Sequence, residues 1–396
     1  MNLYVIDDAS RDPISGAEVR VGTVSGTTDA TGLFVAEGVT GAQDVVVVAP
    51  AHRKEFWVGA NGANMTVNLE VDNTGAPASA TVTGSIPNLV TSPLPANVVR
   101  IGIVQYSQSD DTGDPANELP QAVVNNLPQN ICVAVATTDP CTFTISARVG
   151  KLALVALVID IDNKGTPADT DDTQTFVGWA VRQGITTTAG GTVTGQTLSL
   201  IPAGMQQTIT TSFGSPPASL GMRAAVVGLE IGDEGILPLT TVTPAGPSFQ
   251  GPTLAGVSGA TAYRLIGFAT DGATTDTKQS IVIRHGLAGP TLEAGTWLAP
   301  PTGVTISKAS ATWTNVEGAT VHGIEIKQGA TAILNVTVVD NTKTAITIPS
   351  EIVLPSGSLS AEVTGIGATG LDINDFELDR DRDKLDRVAG QAKTLN

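Results

Sequence analysis

The residues whose types and spacing could do chemistry stand together at Asp160-Ile161-Asp162-Asn163-Lys164-Gly165, followed by Asp169, Asp171 and Asp172. Carboxylates at the first, third and twelfth places with a glycine at the sixth form a spacing that wraps one loop around a hard cation, because Ca2+ takes about six to eight oxygen ligands. Lys164 fills the fifth place, where a further oxygen is expected. Ca2+ is thus the one cofactor the sequence suggests, with Asp160, Asp162, Asp169, Asp171 and Asp172 as its ligands; the alternative is a solvated acidic hairpin. Gly365-Ile366-Gly367-Ala368-Thr369-Gly370 matches a phosphate-cradling glycine pattern by letters. That pattern works only where a helix N-terminus follows, and Leu371-Asp372-Ile373-Asn374 in a strand-rich context does not supply one. His52, His285 and His322 lie far apart, with no HExxH, CxxC or GxSxG signature around them. His52 stands beside Arg53 and Lys54, a short basic patch that reads as a solvated loop.

Cys132 and Cys141 are the only cysteines and flank Thr137-Thr138-Asp139-Pro140, so a hairpin would bring them together as a disulfide. Closing that short ring is worth roughly 2.7 kcal/mol in an oxidising compartment and nothing in a reducing cytosol. Two separate buried thiols are the alternative.

The elements that must position these groups are strands. Ala17, Val19 and Val21 share one face of a strand while Glu18 and Arg20 share the other, because side chains alternate with period two. Asp29 to Gly32 supplies turn chemistry, and Phe34 and Ala36 restart the inward face. Thr and Val are plentiful, with 43 Gly and 23 Pro among 396 residues, which favours strands and turns over helices. The chain is too long for one sandwich of ~100 residues, so about four modules are expected. The fold class is all-β, as tandem sandwiches.

The Pro13-Ile14, Gly16-Ala17 and Val19 strand, the Thr28-Asp29-Ala30-Thr31-Gly32-Leu33-Phe34 turn and the Gly38-Val39 pair resemble the carboxypeptidase-regulatory-like (transthyretin-like) β-sandwich over residues 1–72. That family implies a fold and no catalysis, and it is commonly appended to secreted and surface proteins. A second module, 79–202, has strands at 80–86, 98–106, 131–136, 142–149, 152–160 and 176–181. Its acidic loop holds Asp110, Asp111, Asp114 and Glu118, and its apolar run before an acidic turn is similar to bacterial prealbumin-like surface domains. The Asp160 loop itself resembles the calcium loop of EF-hands and dockerin-like repeats. A third, Ig-like module covers 203–299. The fourth, 300–382, resembles a fibronectin type III domain through its Pro300-Pro301 entry, Trp313, and Ile324 and Ile326 alternating with Glu325 and Lys327. The remaining tail, 383–396, belongs to a stretch from Glu377 onward that alternates Asp with Arg and Lys and reads as a short exposed helix.

A formal charge of -17 argues against nucleic acid, whose phosphates require a basic face. No apolar run reaches the ~18 residues of a membrane span. Met1 runs directly into Leu3-Tyr4-Val5-Ile6, so a secretion signal or lipid-anchored leader supplied upstream, or another route of export, is expected. Trp57, Trp179, Trp297 and Trp313 fall one to a module, the distribution of core or interface anchors. Modules strung in series share no cleft, so no catalysis is expected. The sequence points to a non-enzymatic extracellular or cell-surface structural protein, a filament or stalk subunit or an adhesin. Its expected partners are neighbouring copies, packed through the N-terminal strand or the tail, or other surface proteins. A glycan- or peptide-binding surface lipoprotein module and a phage or virion decoration protein are the alternatives.

Overall fold

The computed structural model describes residues 1–7, 12–71, 78–107, 121, 123–124, 127–137, 139, 141–166, 169–373 and 384–395. Asp110, Asp111, Asp114 and Glu118 of the long acidic loop lie outside them. Strands dominate, and short 3-10 turns are the only helical elements among the described residues. The chain is all-β, built from several packed sheets.

Alternation in the sequence translates directly into burial. Along Asn64–Leu69, Met65, Val67 and Leu69 enter the first core while Thr66 and Asn68 face away from it. Along Val321–Gln328, Ile324 and Ile326 enter a different core, built around Trp313, while Glu325 and Lys327 point to the opposite face. The second module closes its own sandwich: Ile131–Ala134 is the edge of one sheet and Cys141–Arg148 the edge of the other. The Cys132–Cys141 disulfide, with Cα atoms 5.1 Å apart, staples these two edges together.

The modules are not strung in series. One sheet of twelve strands runs Ile236–Val242, Met222–Glu230, Ala262–Thr270, Lys278–Leu287, Leu385–Leu395, Leu359–Ala368, Val321–Gln328, Thr331–Val338, Lys54–Ala60, Gln43–Val48, Glu18–Val21 and Val24–Thr27. It thereby joins the third, fourth and first modules by backbone hydrogen bonds. The join between the fourth and first is parallel, with Asn335 opposite Glu55 and Thr337 opposite Trp57. Apolar packing crosses the seams as well. Val46, Phe56 and Val58 share the core of Trp313, and Trp179 of the second module packs into the third, its indole N–H donating to Gln250 O at 2.8 Å.

The charged tail corrects the sequence reading: Leu385–Leu395 is a strand, not a helix. It pairs antiparallel with Lys278–Leu287 on one side and Leu359–Ala368 on the other. Strand pairing satisfies its backbone groups on both edges, whereas an isolated helix with no apolar stripe has no tertiary packing to hold it. Gly390 leaves room for the Glu362 carboxylate, which lies over the place a Cβ would take. At the other end, Asn2–Asp7 is held between Leu33–Val35 and Asn64–Leu69. Both ends are therefore paired inside the chain, and neither offers a free strand to a neighbouring copy.

Candidate functional site

Among the described residues the acidic loop does not gather three carboxylates at one point. Asp160, near the end of Gly150–Asp162, is clasped by Arg100, whose Nε and Nη2 donate to its two oxygens at 2.7 and 2.8 Å. Asp162 accepts from the Lys164 ammonium at 2.6 Å and from the Lys164 backbone N–H at 2.9 Å, which hold its carboxyl below the usual range. Asp171 accepts from the Thr166 hydroxyl at 2.8 Å. Asp169 lies on the 3-10 turn Asp169–Asp171, and Asp172 directly follows it. The fifth-place lysine thus pairs with the third-place carboxylate, and a strand pair flanks the loop. Among the described residues no three His, Cys, Asp or Glu side chains converge to hold a metal.

The other residues with chemical potential also separate. His52 contacts Asp7 at 3.3 Å and His285 contacts Glu230 at 3.4 Å. His322 is fully buried, accepts from the Val316 N–H at 3.3 Å and packs against Trp313. Burial pushes its pKa down, so it is a neutral core histidine. Gly365 and Gly367 lie inside the strand Leu359–Ala368, which rules out a phosphate-cradling turn at that place.

What the structure does bring together is a cleft of about 380 Å³ between the first and fourth modules, lined by residues of both and by Leu385 of the C-terminal strand. Its floor is the face of the twelve-stranded sheet that looks away from Trp313. Cross-strand register lays two rows along this floor. One reads Glu55, Asn335, Glu325, Glu362; the next reads Trp57, Thr337, Gly323, Thr364, Gly390. Gly323 removes a side chain from the middle of the second row, where a Cβ would come within 2.7 Å of Thr364 Oγ1. One wall is the outward face of Asn64–Leu69, carrying Thr66 and Asn68, with Glu70 just beyond. Val321, Ile366, Leu371, Ile373 and Leu385 supply the apolar side.

Arg53 is the electrostatic hub of the cleft. Its guanidinium lies 2.8 Å from Glu70, 3.5 Å from Glu55 and 3.8 Å from Glu325, and Lys327 pairs with Glu325 at 2.5 Å. The basic patch read as a solvated loop is therefore a buried junction, with the Arg53 side chain only 12% exposed. Glu55 is buried, and desolvation pushes its pKa up to about 8 against the opposing pull of Arg53 and the Asn335 hydrogen bond. Burial likewise raises Glu362, which accepts from Gln279 at 2.8 Å. Glu325 and Glu362 face each other directly across the sheet, where two like charges repel, and a raised pKa relieves that repulsion. Within this junction, Glu55 Oε1, Arg53 Nε, Asn68 Oδ1 and the Trp57 indole N–H are shielded from solvent and make no hydrogen bond to any described residue.

Single residues gave little warning of this site. The alternation of Glu325 and Lys327 with Ile324 and Ile326 marked a polar face, but nothing local says that another module covers it.

No protein family model matches the chain, and no curated protein matches it. Among solved structures, similarity was found to a Parabacteroides distasonis protein named provisionally as a cell adhesion protein. It is 11% identical with a TM-score of 0.16, covering 66% of this chain and 99% of that one. The Escherichia coli alpha-2-macroglobulin matches at 8% identity and TM-score 0.13, over 97% of this chain and 27% of that one.

Proposed function

We propose that the protein works outside the cytosol as a structural element of a surface, of the filament-subunit, stalk or adhesin kind. The observation that carries this reading is the single twelve-stranded sheet, which makes three modules mechanically one body through backbone hydrogen bonds. Chains that must span distance or resist tension gain from such continuity, because separating the modules requires breaking whole strand ladders rather than bending linkers. The Cys132–Cys141 disulfide supports an oxidising setting, since a reducing cytosol would not keep it. The net charge of -17 suits an exposed and soluble surface. Among the described residues no helix is long and apolar enough to cross a membrane.

Immunogold electron microscopy of the native source, with alkylation of free thiols on intact material, tests this directly. The expected result is gold on the outer surface and a protein whose cysteines resist alkylation until reduced. Label confined to the cytosol, with both cysteines alkylated, overturns the reading. Label on virions alone transfers the structural role to a particle instead of a cell.

A further inference from the structure

We propose that the cleft between the first and fourth modules is a binding site for a neutral saccharide, one sugar ring or the end of a glycan. This goes beyond the structural role above and stands or falls separately from it.

Size comes first. A cavity of about 380 Å³ lies at the small end of the usual ~300–1,000 Å³ range for ligand sites, which suits one ring and excludes a long chain. Gly323 adds no side chain to the middle of the floor, and Thr364 Oγ1 and Ile366 lean over the place a Cβ would take. A glycine inside a strand weakens it, so its place at the closest approach of a ligand is physically economical.

Chemistry comes next. The charged groups of the cleft are already matched to one another through Arg53 and Lys327, so a ligand need bring no charge. What remains for recognition is neutral: Thr66, Asn68 and Thr337, able both to donate and to accept, and the Thr364 hydroxyl, which donates to Gly323 O at 3.3 Å and keeps its lone pairs to accept. Sugar hydroxyls have the same double capacity. Beside them, Trp57 is 6% exposed and its indole N–H meets no acceptor among the described residues, and Asn68 Oδ1 is shielded from solvent and meets no donor among them. Buried polar atoms left in this state are costly, and a ligand or ordered solvent that reaches them recovers that cost. Opposite, Leu371, Ile373 and Leu385 offer an aliphatic surface for the C–H face of a ring.

Other candidates in the molecule do not match this combination. The crevice between the second and third modules is crossed by the exposed Lys151–Asp233 pair, whose members satisfy one another. The acidic loop is consumed by Arg100 and Lys164. An amine ligand would have to displace Arg53 from its glutamates.

The test uses the full chain with free methyl glycosides of glucose, galactose, mannose and N-acetylglucosamine, read by saturation-transfer NMR and titration calorimetry, and an array of neutral glycans. At least one is expected to bind with a Kd of about 1 mM or tighter, and the isosteric Thr364→Val and Thr337→Val variants are expected to weaken it about tenfold or more while melting as the parent does. Should the two variants lose stability, quenching of Trp57 fluorescence by the same glycosides, absent in Trp57→Phe, provides the readout. Silence of the unaltered chain toward every neutral glycan overturns the proposal. So does binding that ignores all three substitutions, or binding confined to charged sugars or peptides.

Discussion

The acidic loop of the second module and the cleft between the first and fourth are two polar concentrations among the described residues, and they resolve their charges in different ways. In the loop, Asp160, Asp162 and Asp171 are answered at short range: Lys164 and Thr166 lie within a few residues, and Arg100 reaches across one strand pair to Asp160. The Lys164 and Thr166 contacts are exposed and the Arg100 pair is partly buried. In the cleft, local pairs such as Arg53 with Glu70 and Lys327 with Glu325 are joined by contacts from a distant part of the chain, Arg53 with Glu325 and Glu55 opposite Asn335, and the Trp57 indole N–H and Asn68 Oδ1 stay unmatched among the described residues. A cluster that is dense in sequence can satisfy itself locally. One assembled by tertiary contact keeps unspent capacity for a ligand.

That contrast can be broken first at the C-terminal strand, which supplies part of the cleft and the only backbone link between the third and fourth modules in the large sheet. A chain ending at Lys384 is expected to melt at a temperature lower by ~10 °C or more, or to separate into two transitions by calorimetry, because two long strand edges lose their partner. A single unchanged transition would show that the sheet does not bind the modules together.

Arg53→Met tests the hub. It leaves Glu55, Glu70 and Glu325 without their shared cation, and urea denaturation is expected to show a loss of about 3–5 kcal/mol, the usual cost of removing one partner from a buried charge cluster. Reduction of Cys132–Cys141, or Cys132→Ser with Cys141→Ser, should cost about 2.7 kcal/mol in the same assay, and should leave the cleft unaffected because the staple lies in the second module.

Glu55 gives the comparison a pH axis. Its folded pKa of about 8 lies above the model-compound value of 4.5, so its contribution to stability is fully present below the unfolded pKa and is lost as pH rises toward and through the folded one. Between roughly pH 5 and pH 8 the parent should therefore weaken relative to Glu55→Gln, which carries no ionisable group, and urea midpoints across that window report it. A parallel fall in both proteins would place the titration elsewhere. The smallest effect belongs to the loop: Asp162→Asn is expected to leave the urea midpoint where it was, and added Ca2+ to leave both proteins' melting temperatures unchanged. A Ca2+-dependent rise in the parent alone would restore the loop as the functional centre.

Much of the fold was legible because strand burial is local. The alternation around Val19, Met65 to Leu69 and Ile324 fixes those strands, and the close spacing of Cys132 and Cys141 announces their disulfide, though the two strands that carry them are edges of different sheets and not a hairpin. The cleft was not legible for a physical reason. Period two tells which residues share a face, and leaves open whether that face meets water or another module; Glu325 and Asn335 look identical in either case. The tail misled in the same way. Its Asp, Arg and Lys residues mimic helical ion pairs, while the signal for a central strand resides in the backbone edges of 278–287 and 359–368, which a local reading of 377–396 does not contain.

Hydrogen–deuterium exchange of the intact chain tests the central claim, that these modules are one hydrogen-bonded body, most directly. The amides of Leu385–Leu395 are predicted to exchange as slowly as those of Val321–Gln328, since both are interior strands of the same sheet. Exchange of that C-terminal segment within seconds, while Val321–Gln328 stays protected, would contradict it and remove the cleft along with the continuous sheet.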